Sequence, residues 1–228
     1  MLSFLSDGKC IPGERMRKLS IHLYVGAFLL SLVIFLSGIF VGQMVDLSNM
    51  ENLAVEVNDV SQKVASVHLL LLMEGNSSSF CPVYSSELDS IDHEVELVGH
   101  KLSYLEDERD AFDPELKKQY FVLQAESYLL SKKVNEICGD DSTLLVHFYS
   151  NSNCENCKEQ GYEILKARDS SSEKIKLYSF DGDLGSPVAD AFKEQYNIKS
   201  YPSIVIDEKT YSGYRSSSEI TQLIKGAE

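Results

Sequence analysis

The chain has no tryptophan and only five cysteines in 228 residues, and it is short of cations, with 21 Lys and Arg against 35 Asp and Glu. The formal net charge is −14. Surfaces that neutralise nucleic-acid phosphates are basic, so this deficit argues against a nucleic-acid partner. Five cysteines are too few for a small disulfide scaffold. At 43% apolar and 25% charged residues, the chain is neither a disordered acidic tail nor a polytopic membrane protein.

Charge of either sign is missing from the 27 residues between Lys18 and Asp46. About 20 apolar residues cross a bilayer as a helix, so this run is long enough. A cleaved signal peptide would carry an apolar region of about 7–15 residues and then a small-residue cleavage site. This run is longer and no such site follows, so residues 20–45 are expected to be an uncleaved signal anchor. Lys9, Arg15, Arg17 and Lys18 precede it, whereas Asp46, Glu51, Glu56 and Asp59 follow it before the first lysine, Lys63. The positive-inside rule then places residues 1–19 in the cytoplasm as a tail and everything after the span outside the cell membrane. Four basic and two acidic residues lie in the tail, which leaves 17 basic and 33 acidic residues outside. Gly38 and Gly42 form a small-residue pair that permits close helix approach in lipid.

Residues 46–139 carry apolar positions at alternating steps of three and four. Met50, Leu53, Val57, Val60, Val64, Val67 and Leu71 form one seam, and Leu88, Ile91, Val95, Val98, Leu102 and Leu105 a second. Leu116, Tyr120, Leu123, Leu130, Val134 and Ile137 form a third, with Ser127 in its one polar slot. Three helices are expected, near 46–74, 83–110 and 114–138. Pro82 suits a first helical turn, and Asp113-Pro114 reads as an N-cap and N1 proline. Two packings bury these seams, an antiparallel three-helix stalk or a coiled-coil homodimer through the first helix. His68, His93 and His100 are separated by helical pitch and lie near no cysteine, so no metal is expected there.

Cys81 and Cys138 bracket the helical hairpin. Counted from the turn, the two arms nearly match at 1.5 Å per residue, so both sulfurs return to one end. An exported setting favours a structural disulfide between them, and two reduced, buried thiols are the alternative.

The last ninety residues alternate between strand and helix patterns. Strands are expected at Thr143–Tyr149, Ile175–Phe180, Ser203–Ile206 and Thr210–Tyr214, the last two as a hairpin around Asp207, Glu208 and Lys209. Helices are expected over Lys158–Lys166, from Ser186-Pro187 to Tyr196, and after the capping box Ser216-x-x-Glu219. The order is β-α-β-α-β-β-α. Cys154-Glu155-Asn156-Cys157 follows the first strand and opens the first helix of this segment. About forty-five residues later stands Tyr196-Asn-Ile-Lys-Ser-Tyr-Pro202-Ser.

With these two motifs in this order, residues 140–228 resemble the thioredoxin fold family, and particularly its small membrane-anchored members. The resemblance implies an α/β thioredoxin-like fold behind one transmembrane helix and a helical stalk. It implies that the Tyr201-Pro202 bond is cis and that these two residues face the cysteines and take substrate backbone. Gly213 falls where the family carries a glycine in the last strand. Helix-start N–H groups favour a neighbouring thiolate. Cys154 is therefore expected to be the nucleophile, with Cys157 resolving the mixed disulfide.

Three positions depart from the family pattern. Asn153 replaces the usual tryptophan, and Glu155 and Asn156 stand between the cysteines. A carboxylate beside Cys154 opposes its ionisation, so a less acidic thiol and a more reducing couple are expected than in strongly oxidising relatives. The pH dependence of Cys154 alkylation measures this, and a midpoint near pH 4 would contradict it. His147 sits near the place of a buried acid in classical thioredoxins. It is either a proton relay to Cys157, with Glu155 as a second candidate, or a packed strand histidine.

The expected function is a membrane-tethered thiol-disulfide oxidoreductase without cofactor, acting on thiols and disulfides of exported proteins and recycled by a redox partner in the membrane. A redox-inactive adaptor with the stalk as its working surface is the alternative, and a metallochaperone a further one. Cys10, in the tail, is either a free thiol or a lipid attachment point. Asn76-Ser77-Ser78 is a glycosylation sequon on the outer side.

Overall fold

The computed structural model describes residues 21–74 and 78–226. Residues 1–19 with Cys10, and Asn76 of the sequon, lie outside the described residues. The chain forms two compact units, Met1–Val45 and Asp46–Glu228.

In the first unit, helix α1 (Ile21–Glu74) begins and runs through the charge-free segment. It is long and apolar enough to cross a membrane, and its apolar side chains there, such as Phe28, Ile34 and Phe40, are exposed. A helix satisfies its own backbone polar groups, as a lipid environment demands. Ser37 folds its hydroxyl back onto the Ile34 carbonyl at 2.8 Å, so this polar group is also satisfied locally.

The second unit holds the rest of α1, a single 3₁₀ turn at Ser78–Phe80, and helices α2 (Cys81–Arg109) and α3 (Pro114–Cys138). Their three seams meet in one core that runs from Leu53 through Leu88 and Leu102 to Val134. This is the first of the two packings that the spacing allows. Ser127, the polar slot in the third seam, is fully buried and donates to Asp92 at 2.9 Å. Pro82 stands in the first turn of α2. Asp110 ends that helix in a left-handed conformation at φ 50°. The Asp113 carboxylate then caps α3 by accepting from the N–H groups of Glu115 (2.9 Å) and Leu116 (3.1 Å). The tight turn makes α2 and α3 antiparallel, and Cys81 and Cys138 form a disulfide at the opposite end.

Four strands follow, β1 (Thr143–Tyr149), β2 (Ile175–Asp181), β3 (Ser203–Ile206) and β4 (Lys209–Ser212), in the sheet order β2-β1-β3-β4. With α4 (Cys157–Ser170), α5 (Pro187–Gln195) and α6 (Ser217–Lys225), they reproduce the expected β-α-β-α-β-β-α order. β1 and β2 are parallel and joined by α4, whereas β3 runs antiparallel to β1 and pairs with β4. The β3–β4 turn is tighter than expected. Only Asp207 (φ 45°) and Glu208 (φ 69°) lie in it, and two successive positive φ values suit the twist of a two-residue hairpin. Lys209 therefore belongs to β4, and the strand ends before Gly213, which turns away at φ 84°. Helix α4 also starts one residue earlier and ends later than the pattern suggests.

Helix α3 serves two cores at once. One side closes the bundle, and the other presents Phe121, Ala125 and Tyr128 to Phe148 and Phe180 on one face of the sheet and to Phe192 of α5. Helices α4 and α6 cover the other face through Ile164, Ala167, Ile220 and Ile224. The buried amide of Gln124 reaches the outer strand β2. It donates to the Ser179 carbonyl at 2.8 Å and accepts from the Ser179 N–H at 2.7 Å.

Candidate functional site

The parallel strand β1 ends at Tyr149 and releases the chain into a loop that one serine shapes. The Ser150 hydroxyl accepts from the N–H groups of Ser152 and Asn153, each at 3.1 Å, and donates to Asp183 at 2.5 Å. This knot delivers Cys154 just before α4, whose first residue is Cys157. The two cysteines form a disulfide. Cys157 is buried at 5% exposure, whereas Cys154 is half-buried and Glu155 is exposed. Cys154 is thus the more accessible residue of the pair.

The first turn of α4 is anchored twice. The Asn156 carbonyl accepts from the Gln160 N–H at 2.9 Å. The buried Gln160 amide in turn accepts from the Arg215 N–H at 2.6 Å and donates to the Arg215 carbonyl at 3.1 Å. Neither Gln160 nor Ser150 stands out in the sequence, because each works through backbone groups that a residue pattern does not reveal.

The Tyr201-Pro202 bond is cis. Ser203 pairs with Phe148, so Pro202 lies across from the carboxyl end of β1, the end from which the cysteine loop departs. The Pro202 carbonyl accepts from the Gly213 N–H at 2.9 Å. The Tyr201 ring rests on Gly182, where an added Cβ would stand 2.0 Å from its hydroxyl oxygen. Gly182 is therefore required for the observed placement of Tyr201, a role that the sequence does not announce.

His147 is buried on β1 and stacks on Tyr149 with ring centroids 5.6 Å apart. Its Nε2 has no hydrogen-bond partner. Burial lowers its pKa to about 4, so the ring is uncharged at neutral pH. A relay through this ring would therefore start from neutral imidazole. Among the described residues, no three His, Cys, Asp or Glu side chains are grouped to hold a metal ion.

Both cysteines and His147 line a cleft of about 780 Å³. Helix α2 forms its other wall. Ion pairs link the two walls, from Lys158 and Asp107 (3.7 Å) beside the cysteines, through Arg168 and Glu96 (2.8 Å), to Lys176 and Asp92 (2.7 Å). Lys117 is buried and pairs with Glu106 at 2.7 Å, beneath the rings of Phe112 and Tyr149.

No protein family model matches the chain, and no curated protein matches it. Among solved structures, it is similar to chloroplastic thioredoxin z, with 19% identity over 42% of this chain and 87% of that one, at a TM-score of 0.33. It is similar to the first thioredoxin domain of mouse protein disulfide-isomerase A4, with 20% identity over 42% and 70% and a TM-score of 0.31. It is also similar to the germline-specific thioredoxin Deadhead of Drosophila melanogaster, with 21% identity over 43% and 90% and a TM-score of 0.30.

Proposed function

We propose that the protein is a membrane-tethered thiol-disulfide oxidoreductase acting on exported proteins. The observation that carries this is the disulfide at the start of α4, with Cys154 half-buried and Cys157 buried one turn further in. In this reading residues 1–19 are cytoplasmic, 20–45 span the membrane, 46–139 form the helical stalk, and 140–228 carry the redox chemistry outside. Flanking charge supports that orientation.

With the pair oxidised, a substrate thiolate attacks Cys154 Sγ. The Cys154–Cys157 bond breaks, and Cys157 leaves as a thiolate and takes a proton. A second substrate thiolate then attacks the substrate sulfur of the mixed disulfide and releases Cys154, which is protonated in turn. Two electrons and two protons pass from the substrate dithiol to the pair. The same steps reversed reduce a substrate disulfide. A dithiol-disulfide or quinone carrier in the membrane restores the starting state. In this reading Tyr201 and Pro202 hold the substrate backbone.

Mixed-disulfide trapping tests this reading. In the full-length chain in its membrane, Cys157→Ala should accumulate adducts through Cys154, seen by non-reducing electrophoresis. Cys154→Ser should accumulate none. Absence of adducts in Cys157→Ala, or equal adducts in both variants, refutes the reading.

A further inference from the structure

Helix α2 belongs to the bundle, yet it walls the cleft that contains both redox cysteines. It has little freedom to withdraw. Val95, Val98, Leu102 and Leu105 are buried in the bundle core, and Cys81 ties the start of the helix to the end of α3. At its middle the approach to α3 is too close for a side chain. A Cβ on Gly99 would stand 2.3 Å from the Tyr120 hydroxyl oxygen, and that hydroxyl donates to the Val95 carbonyl at 3.3 Å.

The lining has a definite chemical character. Tyr120, Tyr149, Tyr162 and Leu165 supply aromatic and aliphatic surface. Five acidic and five basic side chains also line it, so its formal charge is zero on a chain whose net charge is −14. The volume is in the usual range for small-ligand pockets.

We infer that α2 is the second wall of the substrate site and restricts the dithiol to cysteines carried on short, flexible, uncharged segments with apolar neighbours. Such a segment enters between α2 and α4 and brings its sulfur to Cys154, while its neighbouring side chains lie against the tyrosines. A cystine held on the surface of a folded protein meets α2 first. This inference rests on the redox reading above and adds the class of substrate to it.

Ser103 is exposed and stands one helical turn before Asp107, which reaches Lys158 across the cleft. The full-length protein in detergent is assayed with dithiothreitol and with a pentapeptide having one central cysteine flanked by Leu and Phe. Ser103→Trp should lower the ratio of the peptide rate to the dithiothreitol rate at least tenfold. Glu108→Trp, on the same helix but not lining the cleft, should leave that ratio unchanged. The wild type should also favour the apolar peptide at least tenfold over one with Asp flanks. An unchanged ratio in Ser103→Trp, or an equal fall in Glu108→Trp, overturns the inference and leaves the redox reading standing. Failure of the wild-type pair to react with dithiothreitol at all would overturn both.

Discussion

Replacing Cys81 and Cys138 together by serine is expected to cost the second unit about 2–4 kcal/mol of stability, the range typical of native disulfides. The bridge joins residues 57 apart in sequence. Chain-entropy arithmetic for a loop of that size gives about 4 kcal/mol as an upper figure. The loss falls below it where the α2–α3 hairpin keeps residual order when unfolded. The bridge joins two helix ends whose antiparallel packing already brings them together, so its removal should leave the folded bundle intact. Denaturant unfolding of the double variant against the wild type measures the difference. A loss under about 1 kcal/mol would mean that the unfolded hairpin is nearly as constrained without the bridge as with it. The Cys154–Cys157 bridge spans only three positions, so opening it should destabilise less.

Stability is also expected to fall as the pH drops from about 6.5 to about 4, by roughly 3 kcal/mol from His147 alone. The folded-state pKa of His147 is lowered to about 4 by burial, below the ordinary value of 6.5. Between those values the unfolded chain binds a proton that the folded chain refuses, so acid favours unfolding. Above about 6.5 neither state holds the proton, and below about 4 both do, so the effect is confined to that window. His147→Leu should remove this limb. The wild-type stability minus that of the variant, followed from pH 7 to pH 4, isolates it from the carboxylates. Parallel curves for the two proteins would show that the ring takes its proton without opening the fold.

The three apolar seams were legible because helix periodicity reports which side of a helix is buried. The succession of strands and helices along the last ninety residues was legible from β-branched runs separated by caps and turn residues. What stayed hidden is the second duty of α3. Phe121, Ala125 and Tyr128 lie off its seam, so a single-stripe reading leaves them facing water, whereas they close the sheet. Lys117 and Lys176 read as solvated charges, yet each is buried, because Glu106 and Asp92 on α2 come within 2.7 Å of them. Those partners lie 11 and 84 positions away, beyond any local pattern. Gly182 and Ser150 were hidden for a similar reason. Their roles depend on the close approach of Tyr201 and on the path of a loop, both set by tertiary packing.

The grip of Gln124 on Ser179 bears on how the sheet meets other chains. An outer strand ordinarily offers its unpaired amides as a template on which a neighbour can extend the sheet. At β2 a side chain already occupies the place of that neighbour, and an incoming strand would have to evict it from both bonds. Recruitment of another chain by lengthening the sheet on this border is thereby discouraged.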